Sequence, residues 1–324
     1  MMTGEQAQRT ILITGAAGNL GSLLARRLAD GEHRLRLMVH HTDVPTDLRD
    51  APGVEVVRAD LADPASLPAA VAGVDSVVHF AGVLFAPRPE RFLPKTNTQY
   101  FANLLTACVA QRVDRLVLIS FPHVEGPTTP DHPALGRLDG RPPSAHARTR
   151  LEEERLLFTG TADTETTPVS LRLGMVYGRG VLMIDAARWL ARRQLLSVWR
   201  ATTWIHLLST ADYLEATVAA ATAKGVSGIY HAGDEQPLTL QSFLDEACRV
   251  WGYPQPWRLP TWLFYMAAAA CEVAAGVFGT RAPLTRDFIT IGRMSYCGDT
   301  TRFRSELLPH LAYPTFDDGK STLA

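Results

Sequence analysis

The segment Arg9-Thr-Ile-Leu-Ile-Thr14-Gly15-Ala-Ala17-Gly18-Asn19-Leu20-Gly21 decides the fold. Its apolar, β-branched start predicts a buried strand, and residues 22–28 continue with apolar side chains at helical spacing. A glycine-rich turn between a strand and a helix is the context in which this glycine spacing predicts a phosphate-binding loop. The glycines allow close approach of a pyrophosphate, and the helix start offers free amides and a positive dipole end. The predicted contacts are Gly15, Ala17, Gly18, Asn19, Leu20 and Gly21.

Strands and helices alternate through the first half of the chain. Apolar runs predict strands at 35–39, 54–58, 74–82 and 115–120, and helical patterns separate them at 64–72 and 99–111. This alternation is typical of right-handed crossovers between parallel strands. The sequence therefore predicts an α/β fold, a Rossmann-type doubly wound parallel sheet.

The end of the second predicted strand bears on cofactor choice. NAD-selective proteins close this strand with a carboxylate that holds the ribose hydroxyls, whereas this chain continues with His40-His41-Thr42. Without an anion a 2′-phosphate is not repelled, so NADP(H) is favoured and NAD(H) stays open. The same stretch holds no arginine to bind that phosphate.

Further motifs along the chain resemble the extended short-chain dehydrogenase/reductase family of the NAD-dependent epimerase/dehydratase type. They follow the family order: Gly15-x-x-Gly18-x-x-Gly21, Asp60-Leu61, His79-Phe80-Ala81-Gly82, Thr96-Asn97, 171–178, 204–212, 285–287 and 317–319. The resemblance implies further cofactor contacts at Asp60, Leu61, Phe80, Ala81, Gly82, Gly174 and Met175, beside the contact expected of His40 at the end of the second strand.

The catalytic positions depart from the family. Where the resemblance implies Tyr-x-x-x-Lys, the chain has His146 and Arg150, and where it implies a Ser or Thr it has Phe121. Ser120, one residue earlier, is expected to point to the opposite face if the strand continues. Arg150 is permanently charged and suits the holding of ribose hydroxyls, and a neutral His146 next to it suits carbonyl polarisation or proton relay. The alternative is that His146 is an inert surface residue; His123 is a second loop candidate.

The amino-acid composition of the chain limits the kinds of partner that it is expected to bind. The 324 residues carry a net charge of −1 and no basic run, which argues against nucleic acid, and the four cysteines lack metal-ligand spacing. No secretory leader pattern precedes the first strand, so a cytoplasmic location is expected. The expected partner is a small-molecule substrate, with the chain a monomer or homodimer and without a metal.

Two domains are predicted. Residues 1–171 form the dinucleotide-binding domain, to which strands near 201–212 return, and residues 172–324 form a smaller, mostly helical substrate lobe. The Pro/Gly-rich segment 126–143 is either a loop over the active-site mouth or a solvated connector. The apolar segment 262–278 is shorter than a spanning helix, so a pocket wall or subunit contact is favoured over membrane-surface contact.

These features predict an NAD(P)H-dependent ketoreductase for a bulky apolar or aromatic carbonyl compound. Trp189, Trp199, Trp204 and Trp262 suit such a ligand. Resemblance to atypical tailoring reductases suggests an aromatic polyketide of antibiotic biosynthesis. Two alternatives stay open: a non-catalytic NAD(P)-binding sensor, and a sugar-nucleotide epimerase or dehydratase.

Overall fold

The computed structural model describes residues 8–82, 88–280, 282 and 284–324. Its strands are β1 (Thr10–Thr14), β2 (Arg34–Val39), β3 (Val54–Arg58), β4 (Ser76–His79), β5 (Arg115–Ser120), β6 (Thr167–Leu173), β7 (Met175–Tyr177), β8 (Ser197–Trp199), β9 (Trp204–Ile205), β10 (Leu207–Ser209), β11 (Gly228–Ala232), β12 (Leu238–Thr239) and β13 (Trp257–Leu259). Seven of them form one sheet in the order β11-β6-β5-β4-β1-β2-β3, and every pair in it is parallel. The predicted Rossmann-type α/β fold is confirmed.

Helices cover both faces of this sheet. They are α1 (Asn19–Ala29), α2 (Thr46–Arg49), α3 (Leu67–Val71), α4 (Tyr100–Ala110), α5 (Ala145–Thr161), α6 (Leu182–Arg192), α7 (Thr210–Thr222), α8 (Leu240–Trp251), α9 (Thr261–Phe278), α10 (Arg286–Arg293) and α11 (Phe316–Gly319). One apolar cluster joins the sheet to α1 and α7, and a second joins it to α3, α4 and α5. The C-terminal strand ends therefore share one edge, between two helical layers.

Some predicted boundaries shift for local reasons. The helix predicted at 64–72 is a 3₁₀ turn, Pro64–Ser66, capped by the Asp63 side chain and followed by α3. The helix predicted from 99 begins earlier, through a π-helical turn at Pro94–Gln99. The strand predicted at 74–82 ends at His79.

The predicted return of strands near 201–212 to the main sheet is wrong. β9 pairs with β12 and β10 pairs with β7, each in a separate two-stranded sheet. The returning strand is β11, because α7 crosses the sheet directly after β10 and delivers the chain beside β6. The predicted boundary at 171 also falls inside β6, so the dinucleotide-binding sheet includes residues on both sides of it.

The Pro/Gly-rich 126–143 segment is attached to the C-terminal part of the chain. Thr128 Oγ1 donates to the Cys297 carbonyl at 3.0 Å and accepts from its amide at 2.8 Å. Ala134 forms an isolated parallel bridge with Gly298. The segment is therefore a packed strap rather than a fully solvated connector.

Candidate active site

The glycine-rich loop after β1 has the shape that a pyrophosphate needs. Gly15 has φ +71°, and a Cβ there would lie 3.0 Å from the Ala81 amide nitrogen. A Cβ on Gly21 would lie 2.4 Å from the Gly15 carbonyl oxygen, so neither position admits a side chain. Gly18 precedes α1 without a side-chain cap, which leaves the amides of the first turn available to an anionic ligand. The loop therefore fits a dinucleotide.

Side chains of this loop hold it in place. Asn19 Nδ2 donates to the Gly180 carbonyl at 2.7 Å, and its Oδ1 accepts from the Leu182 amide at 2.8 Å. The Tyr213 hydroxyl donates to the Leu20 carbonyl at 2.8 Å. Ala17 packs partly against the apolar cluster on this face. The side chain of Asn19 therefore serves the loop's shape, while the backbone remains the predicted ligand contact.

The end of β2 carries a cation that the sequence analysis missed. Arg58, the last residue of β3 and the register partner of Val39, donates from Nη1 to the His40 carbonyl at 2.5 Å. Its Nη2 lies 2.6 Å from Asp43 Oδ1, and His40 Nε2 lies 3.3 Å from Asp60 Oδ2. The expectation of no arginine at this site is wrong, because the parallel register brings one from the neighbouring strand.

Residues after β4 meet β1 and α5. His79 Nδ1 lies 2.8 Å from Thr14 Oγ1, and the Ala81 amide donates to the same oxygen at 3.4 Å. Burial, and then the charge of Arg150, lower the pKa of His79 to about 3, so this ring is neutral. Phe80 stands edge-on to Tyr213 at 6.5 Å. The signature that the resemblance identified therefore lies next to the glycine-rich loop, as the floor of the predicted cofactor site.

Arg150 lies against this floor. Its Nη2 is 3.2 Å from the position that a Cβ on Gly82 would occupy, and Asn97 Oδ1 is 3.8 Å from the same point. Its Nη1 donates to Glu153 Oε2 at 2.5 Å, while its buried Nε has no hydrogen-bond partner among the described residues. Burial raises the pKa of Glu153 to about 7, against the opposing charge of Arg150. A buried cation with one unpaired donor next to the predicted cofactor site suits the predicted role of holding ribose hydroxyls.

His146 is paired with a carboxylate, not with Arg150 as the sequence suggested. Its Nδ1 lies 2.5 Å from Asp287 Oδ2, and Asp287 also accepts from the Ser144 hydroxyl at 3.0 Å and the Ala145 amide at 2.9 Å. Burial opposes ionisation of Asp287, but the hydrogen bond from His146 and then that from Ala145 outweigh it and hold the pKa of Asp287 below its usual value. The prediction failed because Arg150, one turn further along α5, faces Glu153 and Gly82. His146 is 6% exposed, so the surface-residue alternative is wrong.

Ser120 and Phe121 point to opposite faces of the sheet. Leu116 and Leu118 belong to the apolar cluster that includes α5, and Ser120 continues this alternation at the end of β5. The Ser120 hydroxyl is buried and has no hydrogen-bond partner in the described part of the chain. Phe121 keeps an extended backbone, φ −150° and ψ 155°, and so faces the other way. Ser120 is therefore the candidate second donor on the side of α5.

An aromatic wall lies beyond Phe121. Its ring meets His123 edge-on at 5.5 Å, and His123 packs on Tyr296 at 4.1 Å. Burial lowers the pKa of His123 to about 3, and burial raises the pKa of Tyr296 far above its usual value. Neither side chain exchanges a proton near neutral pH. His123, which the sequence suggested as a second proton donor, therefore packs among aromatic rings and does not act as an acid.

The backbone amides of the two residues that follow β6 already donate hydrogen bonds to other parts of the backbone. Gly174 donates to the Ala232 carbonyl at 2.8 Å and Met175 to the His206 carbonyl at 2.8 Å. A Cβ on Gly174 would lie 2.6 Å from that His206 oxygen, which explains the glycine. Cofactor contacts predicted at these two residues therefore have to use other atoms than their amides.

A buried ionic cluster next to the site was not foreseen. Arg172 is fully buried and bonds Glu154 at 3.0 and 2.5 Å, and it also bonds Glu125. Burial opposes ionisation of Glu125, but bonds from His231 and Arg172 lower its pKa to about 2. Glu125 Oε1 also accepts from the Gly136 amide at 2.7 Å, which fixes the 126–143 strap. Alternation with apolar neighbours in β6 gave no sign that Arg172 is paired.

Comparison with known proteins identifies the family of this chain. The family model for the NAD dependent epimerase/dehydratase family matches residues 11–233. The 2-alkyl-3-oxoalkanoate reductase of Stenotrophomonas maltophilia is 28% identical over 293 residues, 85% of this chain and 87% of that protein. The uronate dehydrogenase of Pseudomonas putida is 29% identical over 191 residues, 58% of this chain and 69% of that protein.

Solved structures share the fold. MoeE5 in complex with UDP-glucose and NAD superposes with a TM-score of 0.75 at 21% identity, covering 97% of each chain. The UDP-glucose 4-epimerase of Thermotoga maritima gives 0.76 at 15% identity, again over 97% of each chain. The family model and the named reductase and dehydrogenase relatives show a nicotinamide-dependent oxidoreductase built on a Rossmann sheet. The chain belongs to the NAD dependent epimerase/dehydratase family, that is, to the extended short-chain dehydrogenases/reductases.

Proposed function

We propose that this enzyme is an NADPH-dependent ketoreductase for a bulky, apolar carbonyl compound. The observation that carries the proposal is the buried His146–Asp287 pair at the position where the family resemblance implies a tyrosine acid. The similarity to a 2-alkyl-3-oxoalkanoate reductase supports an apolar 3-oxo substrate. Human 3 beta-hydroxysteroid dehydrogenase type 7, 33% identical over 141 residues (41% of this chain and 38% of that protein), is named for a hydroxysteroid. An aromatic polyketide ketone belongs to the same chemical class.

The preference for NADPH rests on Arg58. Its guanidinium lies at the end of β2, where a 2′-phosphate is bound in NADP-dependent proteins of this fold. Asp43 neutralises part of this charge, so NADH remains an accepted cofactor with lower affinity.

Different residues of the site have different roles in the reduction. When bound, the reduced nicotinamide supplies the hydride to the carbonyl carbon. Arg150 holds the ribose through its guanidinium, whose Nε has no partner among the described residues. Asp287 fixes the orientation of the imidazole through its contact with Nδ1. His146 then gives its proton to the developing alkoxide, with Ser120 as second donor, and the product is the alcohol.

The test is NADPH oxidation with a panel of carbonyl compounds: a long-chain 2-alkyl-3-oxo acid, a 3-ketosteroid, an aromatic polyketide ketone and UDP-glucose. We expect turnover of at least one apolar ketone, a loss of about 10- to 100-fold in His146→Ala, and no loss in His310→Ala, an exposed histidine. Cofactor binding without any turnover would instead support the sensor. Conversion of UDP-glucose without net NADPH consumption would support the epimerase.

A further inference from the structure

Glu153 is a buried carboxylate of α5 that the reaction described above does not use. It lies three residues after Arg150, and residues at this spacing are neighbours on one face of a helix. Its Oε2 accepts from Arg150 Nη1 at 2.5 Å, which is the one side-chain hydrogen bond that it makes among the described residues. Its Oε1 is buried and has no partner there. The side chain of Glu153 is therefore directed at Arg150 alone.

The neighbouring carboxylate of Glu154 is equally buried but is fully bonded. It accepts from the Ser170 hydroxyl at 2.8 Å and from Nε and Nη2 of Arg172 at 3.0 and 2.5 Å, so both of its oxygens have partners. A buried carboxylate with one cation and one unsatisfied oxygen, such as Glu153, costs free energy of folding rather than contributing it. Burial also raises the pKa of Glu153 to about 7. Stability therefore does not explain why an acid stands at this position.

The guanidinium of Arg150 is held from two sides. Nη1 bonds Glu153, and Nη2 lies 3.2 Å from the position that a Cβ on Gly82 would occupy, so it passes close to the backbone that follows β4. An unheld arginine side chain samples many rotamers, and its planar fork matches a partner only in a fixed orientation. The contact with Glu153 fixes that orientation next to the predicted cofactor site.

We propose that Glu153 is a positioning residue, which holds the Arg150 guanidinium in the orientation that binds the ribose next to the nicotinamide. This role rests on the one proposed above for Arg150. That ribose is the one within reach, because Arg150 lies one turn along α5 from His146, the proposed proton donor. A lysine ammonium, which the family resemblance implies here, is a compact charge that needs no such orientation, whereas the flat fork of an arginine does.

The experiment is a double-mutant cycle in NADPH affinity, measured by fluorescence titration of the wild type, Arg150→Ala, Glu153→Gln and the double variant. Glu153→Gln keeps the size of the side chain but weakens the bond to Arg150, so we expect affinity to fall about tenfold. The double variant should bind as Arg150→Ala does, because Glu153 acts only through Arg150. The matched control is Glu152→Gln, which changes an exposed carboxylate of the same helix, three residues from its partner Arg155, and should bind like the wild type.

A second ligand separates positioning from damage to the fold. 2′,5′-ADP carries the adenosine end of NADPH but no nicotinamide ribose. Its affinity should be the same in Glu153→Gln and in the wild type, whereas a distorted site would bind both ligands more weakly. If Glu153→Gln does not fold, Glu153→Asp replaces it in the cycle, because it keeps the charge but shortens the reach of the carboxylate.

The results that would overturn the proposal differ from one another. If Arg150→Ala binds NADPH as well as the wild type does, Arg150 does not hold the ribose, and the proposed function loses that step too. If Arg150→Ala weakens binding but Glu153→Gln does not, the positioning role alone is refuted. Losses that add in the double variant, or an equal loss of 2′,5′-ADP affinity in Glu153→Gln, would also refute it, because the carboxylate would then act independently of the guanidinium.

Discussion

Replacing Asp287 by asparagine tests the catalytic pair directly. The change keeps the size of the side chain but removes the charge that His146 Nδ1 meets at 2.5 Å. A hydrogen bond to a charged group contributes about 1.5–3 kcal/mol, and this one holds the imidazole in the orientation from which His146 donates its proton. If the whole contribution is lost in the transition state, turnover falls about 10- to 150-fold, at roughly 1.4 kcal/mol per decade.

The assay is kcat with the best ketone of the panel, read beside the thermal midpoint and NADPH affinity. Ser144→Ala is the matched control, since this hydroxyl also bonds Asp287, at 3.0 Å, and caps α5. It should cost about 1 kcal/mol of stability and leave turnover within about threefold. If Asp287→Asn keeps its kcat within threefold while folding normally, the carboxylate has no part in proton transfer.

Three further predictions concern the cofactor and the fold. Arg58→Ala should lower the preference for NADPH over NADH by about tenfold, ~1.4 kcal/mol, in fluorescence titrations. Arg49→Ala, which removes the other arginine that contacts Asp43, should leave this preference unchanged. An unchanged preference in Arg58→Ala would show that Arg58 does not bind the 2′-phosphate. Arg172→Met should lower the free energy of unfolding, measured in urea, by about 3–5 kcal/mol, because it leaves two buried carboxylates without their cation. The control, Arg249→Met, changes an exposed arginine and should alter that free energy by no more than about 0.5 kcal/mol. Equal urea midpoints for the two variants would disprove the prediction. Burial raises the pKa of Asp234 to about 8, so the folded state keeps a proton that the unfolded chain loses near pH 4, and stability falls as pH rises through that window. Asp234→Asn should therefore gain thermal stability over the wild type at pH 8 but not at pH 4, and parallel curves would contradict the assignment.

Local patterns predicted the strands and the phosphate loop because each is encoded within about twenty residues. The run into Gly15, Gly18 and Gly21 carries its own strand, turn and helix signals. β11 escaped prediction because Gly228–Ala232 includes a glycine, a tyrosine and a histidine and lacks an apolar run.

Long-range partners could not be predicted. The sequence singled out His146, but Asp287 is 141 residues away and meets it only because α10 packs against α5. Arg58 reaches the end of β2 through sheet register, which pattern reasoning does not supply. The length and composition of α9 argued against a membrane-spanning helix, whereas only the fold shows that its apolar face is exposed.

Two neighbouring residues at the start of α10 make contacts in different directions. Arg286 forms an ion pair with Glu272 on α9, and Asp287 forms a hydrogen bond with His146 on α5. A displacement of α9 relative to the sheet therefore pulls on the same short piece of backbone that sets the tilt of the imidazole. One short stretch of backbone at the start of α10 thus connects the outer helix α9 with the imidazole of His146.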